Sequence, residues 1–136
     1  MSEGELIALA LLAKRNAYSP YSGFRVGAAL LCADGRVFTG CNVENASFSV
    51  TTCAERVALF SAVAQGARKF SAIAVVTDSE QPVFPCGVCR QALAEFSPDM
   101  NVIAAGLKEV QTVVLGQLLP HAFSHAHIGG SCEHGR

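Results

Sequence analysis

Leu6, Ala10, Ala13 and Ala17 recur at helical spacing behind Ser2-Glu3-Gly4-Glu5, a sequence that spells a capping box. The pattern predicts a helix over about residues 3–17. Tyr18-Ser19-Pro20-Tyr21-Ser22-Gly23 breaks it, after which the apolar runs Val26 to Leu31 and Arg36 to Val43 flank Ala33-Asp34-Gly35. Asp-Gly between two such runs predicts a β-hairpin. Thr52 is placed to cap a helix that starts at Cys53 and that Gly66 ends, and Pro85 to open another that runs to about Phe96.

Ala72-Ile73-Ala74-Val75-Val76 and Val102-Ile103-Ala104-Ala105 are short, continuous apolar runs, the signature of strands covered on both faces. The helix between them favours a right-handed crossover and parallel pairing. Gln111 to Leu115 is a candidate fifth strand. Helix, hairpin, helix, strand, helix, strand, strand adds up to an α/β fold, a three-layer α/β/α sandwich around a mixed five-stranded sheet. No linker or repeat divides residues 1–136, so one domain is expected, with a mobile tail from about residue 125.

Composition narrows the function classes. Half the chain is hydrophobic (51%) and 15% is charged, yet no apolar stretch reaches the ~18 residues of a membrane span. Ten Lys and Arg against 11 Asp and Glu leave no electrostatic footprint for a phosphate backbone, so a small uncharged substrate fits better than a nucleic acid or a membrane. Met1-Ser2-Glu3-Gly4-Glu5 lacks the basic region and apolar run of a secretory signal, and a cytoplasmic location is expected. Six cysteines then read as thiols and metal ligands before disulfides. Cys32 and Cys41, in apolar strand-like runs, are expected to be small buried thiols, and Cys132 belongs to no motif.

The remaining three carry the candidate chemistry. Cys53-Ala54-Glu55-Arg56 and Pro85-Cys86-Gly87-Val88-Cys89-Arg90-Gln91 together offer three thiolates and one carboxylate, a donor set that suits a zinc ion with one position left for water. Both segments fall at predicted helix N-termini, where exposed amides and the helix dipole favour thiolates. Three thiolates on zinc(II) leave a net negative centre, and Arg56 is placed to offset that charge at the ligand sulfurs.

Each piece alone has a plainer reading. Cys86-Gly87-Val88-Cys89 fits a redox dithiol, and Glu55 fits a capping box with Thr52. A redox pair has no use for a third Cys and a Glu at another helix start, so the conjunction favours catalytic zinc. A structural site would need a fourth ligand, which only His121, His125, His127, Cys132 and His134 near the C-terminus offer, and that cluster is expected to be a mobile tail, open at most to adventitious metal binding.

The layout of a first ligand, a Glu two residues on, and Pro-Cys-x-x-Cys is that of zinc nucleobase deaminases. With Tyr21-Ser22-Gly23-Phe24-Arg25-Val26-Gly27-Ala28-Ala29, Gly40-Cys41-Asn42-Val43-Glu44-Asn45-Ala46-Ser47 and Leu118-Leu119-Pro120-His121-Ala122-Phe123, the chain resembles the short-form, homotetrameric cytidine deaminases from Tyr18 to Phe123. The resemblance implies that Asn42 and Glu44 hold the ribose, that Phe24 packs beside sugar and base, and that the Ala54 amide binds the ring carbonyl. It also implies that Phe123 reaches into a neighbouring subunit to stack on the base, giving a homotetramer with shared active sites. Gly106 to Thr112 is shorter than usual in that family, and the histidine-bearing end beyond Ser124 matches no part of it.

The implied reaction is hydrolytic deamination of cytidine and 2′-deoxycytidine, a step of pyrimidine salvage. Zinc brings the pKa of water toward ~7, and Glu55 carries protons between that water, ring nitrogen 3 and the departing ammonia. Rivals are a deaminase of a cytosine-containing antibiotic, which need not keep Asn42 and Glu44, a nucleic-acid deaminase, which would show a basic face, and a zinc-stabilised binding module.

Overall fold

The computed structural model describes residues 1–129; Cys132 and His134 lie outside that range. Helix α1 (Glu3–Lys14) begins at the predicted capping box, in which the Ser2 hydroxyl accepts from the Glu5 amide and the Glu5 carboxylate accepts from the Ser2 amide, each at 3.1 Å. It stops three residues short of the expected end, because Arg15, Asn16 and Ala17 tighten into i→i+3 bonds to Leu12, Ala13 and Lys14.

Strands β1 (Val26–Cys32) and β2 (Val37–Cys41) form the expected antiparallel hairpin. Gly35 takes φ +95° in its loop, a conformation that favours glycine. Helix α2 (Ala54–Ala64), strand β3 (Phe70–Thr77), helix α3 (Gly87–Ala94), strand β4 (Asn101–Ala105) and strand β5 (Val110–Val114) follow. The sheet order is β2-β1-β3-β4-β5, with β3 and β4 parallel across α3 and the other pairs antiparallel. Among the described residues, no helix is long and apolar enough to cross a membrane.

Period-two alternation along the central strands divides the core in two. Ala28 and Leu30 of β1, Ile73 and Val75 of β3 and Val102 of β4 point toward α2 and α3, packing with Ala58, Leu59 and Leu93. Ala29, Ala74, Val76, Ile103 and Ala105 face the other way, onto Leu6 and Ala10 of α1. Three layers result. Cys32 is buried as expected, Cys41 half-buried, and both are free thiols.

The helix that carries Cys53 and Glu55 lies unusually close to the sheet at Gly40. A Cβ built there would stand 2.5 Å from the Ala54 carbonyl oxygen and 2.6 Å from the Ala58 amide nitrogen, both backbone atoms that move only if α2 moves. Gly40→Ala is therefore expected to cost about 1–3 kcal/mol, a drop in thermal midpoint of roughly 3–10 °C, and to lower activity with it. Gly4→Ala, where nothing lies within 4 Å in the first turn of α1, should leave the midpoint unchanged or slightly higher. Differential scanning calorimetry of the two variants checks the contrast.

Candidate active site

Two helix starts meet at the end of β3. Cys53 is the N-cap residue of α2 and Cys86 that of α3, with Cys89 one turn further on. Thr52, expected at the cap of α2, is instead held in an extended bridge to Val43 (3.0 and 2.9 Å), and its hydroxyl donates to the Val50 carbonyl at 3.0 Å. Pairing with Val43 keeps its backbone out of the cap, so the helix begins one residue later. The three sulfurs lie within 4.8 Å of one another, and Cys53 Sγ and Cys86 Sγ are 3.9 Å apart.

Sulfurs at Zn–S ~2.3 Å in a tetrahedral site would stand ~3.8 Å apart, so the thiols fit the ion. Among the described residues, no fourth His, Cys, Asp or Glu joins the cluster, so its donor set is three thiols. His121, His125 and His127, the describable part of the candidate fourth-ligand set, stand outside it.

Arg56 donates from a terminal nitrogen to Cys53 Sγ at 3.5 Å, as expected of a group that compensates ligand charge. Its Nε is buried without a partner among the described residues. The Cys53 thiol is drawn down to about 5, chiefly by the hydrogen bond it shares with Cys89, then by Arg56 and Cys86. Cys89 is pushed up by the same bond, by burial and by the nearby charge of Glu55. To bind a metal as thiolates the cluster must give up its thiol protons.

Glu55 is 4% exposed in the first turn of α2, and burial, helped by the negative charge of Cys53, lifts its carboxyl to about 7. A carboxyl poised there can both take and give a proton near neutral pH. It opens onto a cavity of about 300 Å³ together with Cys53, Cys86, Ala54, Phe24, Asn42 and Glu44. The Ala54 amide is one of the helix-initial N–H groups that no turn of α2 satisfies. Cys89, fully buried, and Arg56 lie behind this wall.

Another part of the cavity wall is built by the segment after β2. Asn42 to Glu44 is pinned from two sides. The Tyr18 amide donates to the Asn42 carbonyl (3.0 Å), the Glu44 amide to the Tyr18 carbonyl (2.8 Å), and Val43 pairs with Thr52. Asn42, 8% exposed, also braces the strand entry: its Nδ2 donates to the Phe24 carbonyl at 2.8 Å and its Oδ1 accepts from the Val26 amide at 2.9 Å. One amide hydrogen is left for a ligand.

The Glu44 carboxylate accepts from the Tyr21 and Ser22 amides (2.9 and 3.0 Å) and from the Ser22 hydroxyl. Those bonds, the Ser22 hydroxyl first, hold it below the usual carboxylate range, so it stays ionised and orders the loop that carries Phe24. Sequence reasoning missed this second duty of both residues. It also missed Ser22, Thr77, Val83 and Phe84 in the cavity wall. Phe84 had a signal, an aromatic directly before Pro85-Cys86; Thr77, 1% exposed at the end of β3, had none.

Phe123 does not line the cavity of its own chain. It lies 61% exposed beside the end of α3, its carbonyl accepting from Gln91 Nε2 at 2.8 Å.

Comparison with known proteins agrees with this geometry. The sequence model described as "Cytidine and deoxycytidylate deaminase zinc-binding region" matches residues 1–105. A protein named cytidine deaminase from Sporosarcina psychrophila is 48% identical over 135 residues, covering 98% of this chain and 99% of that one. Another, from Halalkalibacterium halodurans, is 50% identical over 126 residues, covering 91% and 96%. The crystal structure of cytidine deaminase from Burkholderia pseudomallei superposes with a TM-score of 0.88 at 50% identity, covering 90% of this chain and all of that one. With its three clustered thiols, its buried glutamate and these relatives, the chain belongs to the zinc-binding cytidine and deoxycytidylate deaminase family.

Proposed function

We propose that this chain, as one domain spanning residues 1–136, hydrolyses cytidine and 2′-deoxycytidine to uridine and 2′-deoxyuridine with release of ammonia, as a cytoplasmic homotetramer in pyrimidine salvage. The observation that carries the reading is that one cavity is lined by two thiols of a zinc-type cluster, by a buried carboxyl and by an amide–carboxylate pair. A nucleoside is the ligand that needs them all.

Cys53, Cys86 and Cys89 hold one zinc ion per subunit. When bound, zinc acidifies water, making a nucleophile available at neutral pH. Glu55 receives the water's proton and passes it to ring nitrogen 3, which makes carbon 4 electrophilic. The water oxygen bonds to carbon 4, and Glu55 takes the remaining proton from that oxygen and delivers it to the amino group, so that the carbonyl forms as the carbon–nitrogen bond breaks and ammonia leaves. The Ala54 amide donates to the ring carbonyl and fixes the base. Asn42 and Glu44 take the ribose hydroxyls, Phe24 flanks sugar and base, and Arg56 balances the charge of the thiolates. Phe123, exposed and outside the wall of its own cavity, stacks on the base in a neighbouring subunit.

Cys86→Ala is expected to lose zinc and activity together, because metal and fold are coupled. Cys32→Ala should keep its zinc, since that thiol lies in the core and outside the cluster. Atomic absorption on both purified proteins decides the ligand assignment, and a metal-replete Cys86→Ala enzyme would remove it.

Glu55→Gln should keep zinc and lose ~10²–10⁴-fold in kcat, as an amide cannot shuttle protons. Mixing it with Phe123→Ala chains, themselves strongly impaired, should restore activity in proportion to sites that combine one intact Glu55 with one intact Phe123 from another subunit. Verified mixed tetramers without recovery, or a monomer by light scattering, would rule out action across an interface.

Glu44→Gln removes a charged acceptor from both the sugar and the loop at Ser22. Cytidine is expected to lose roughly 10- to 100-fold in kcat/KM and free cytosine far less, with CMP poor for the parent enzyme because Glu44 repels phosphate. Assays on cytidine, deoxycytidine, cytosine and CMP separate the roles; equal losses on cytidine and cytosine would make Glu44 a fold residue alone.

A further inference from the structure

The histidine-bearing end of the chain has no part in the chemistry described so far, yet one of its side chains is built onto Phe123. The His127 and Phe123 rings are stacked, with centroids 5.7 Å apart and planes 20° from parallel. Nor is the imidazole loosely placed. Its Nδ1 accepts from the Ser124 amide at 3.0 Å within the 3-10 turn His125–Ile128, which puts the ring proton of the neutral form on Nε2. Gly129, at φ 77°, ends the turn in the left-handed region. The Phe123 backbone is held independently, by Gln91 Nε2 on its carbonyl at 2.8 Å.

Backbone and ring are thus fixed by different groups. Gln91 sets where Phe123 sits, while the only aromatic stacked on its ring among the described residues is His127. The imidazole lies offset against one side of the phenyl ring, and with Phe123 still 61% exposed, ring surface is left for a second flat group.

We propose that His127 is a positioning residue for base recognition: it backs the Phe123 ring, so that the remaining ring surface is presented flat to the pyrimidine bound in the neighbouring subunit. The inference rests on the reading of Phe123 as the residue that stacks on the base in trans. An unbacked phenyl ring would sample its rotamers and lose part of its orientation before substrate arrives, weakening binding in ground and transition states alike.

The test is a double-mutant cycle on the tetrameric zinc enzyme, with KM and kcat for cytidine measured at saturating zinc. His127→Ala is expected to raise KM about three- to tenfold with kcat within twofold, the size of one aromatic contact. His127→Phe, which keeps a flat ring, should stay within twofold of the parent; His127→Leu, which keeps bulk without a flat face, should behave as Ala does. In a Phe123→Ala background, His127→Ala should add nothing.

If Phe123→Ala itself leaves KM unchanged, the stacking reading fails and this inference falls with it. Should Phe123→Ala raise KM while His127→Ala does not, only the role of His127 is overturned. Additive losses in the double variant, failure of Phe to substitute for His, or dissociation of the tetramer by His127→Ala alone would each overturn it as well.

Discussion

Three thiols within 4.8 Å of one another are the constraint around which this molecule is arranged. As thiolates they repel, and as thiols they compete for one another's hydrogen bonds, which drives Cys53 down and Cys89 up. Only a bound cation relieves both problems at once. The fold holds the sulfurs together by placing two of them at helix caps, Cys53 and Cys86, on helices that pack on the same face of one sheet. Arg56, reaching Cys53 from the first turn of α2, supplies a positive charge that does not depend on metal.

The sheet's alternation makes this placement rigid. Small residues on one face of β1 and β3 (Ala29, Ala72, Ala74) let α1 lie close, and larger ones on the other (Leu30, Ile73, Val75) form the floor under α2 and α3. Gly40 then brings α2 against β2 closely enough that no side chain fits between them. Catalytic geometry and core packing are therefore one problem: Glu55 is raised to about 7 because burial withholds water from it, and that burial is set by how tightly α2 is seated.

Residue patterning was enough to read the hairpin at Asp34-Gly35, the two covered strands, their parallel pairing and, to within one or two residues, where the two later helices begin. The candidate thiol cluster was legible from two short segments, since Cys86 and Cys89 lie one turn apart and Cys53 stands at the start of another helix. What sequence could not give depends on partners far along the chain. Thr52 was displaced from its cap by pairing with Val43, and α1 ended early in a tightened turn. Asn42 and Glu44 turned out to brace the loop at Tyr21 to Val26 as well as face the cavity, a duty visible only once that loop folds back over them. Lys14, only 8% exposed, meets Asp78 at 2.7 Å and so ties α1 to the end of β3, which no helical pattern foretells.

Helix α3 joins the chemical half of the molecule to its C-terminal segment. Its first turn carries two of the clustered thiols, Cys86 and Cys89, and the next two residues leave the site: Arg90 donates to the Pro85 carbonyl at 2.6 Å and to the Leu118 carbonyl at 2.9 Å, while Gln91 holds the carbonyl of Phe123. A shift of α3 large enough to disturb the sulfur cluster must therefore also move the segment from Leu118 to Phe123, and strain on that segment is returned to the loop at Pro85 through a single guanidinium. If Phe123 serves a neighbouring site, the metal centre of one subunit and the base-binding surface of the next are connected through two adjacent side chains of one short helix. Such a connection makes a fully formed site a property of the assembly, because the element that seats the metal in one subunit also sets the position of the aromatic residue offered to another.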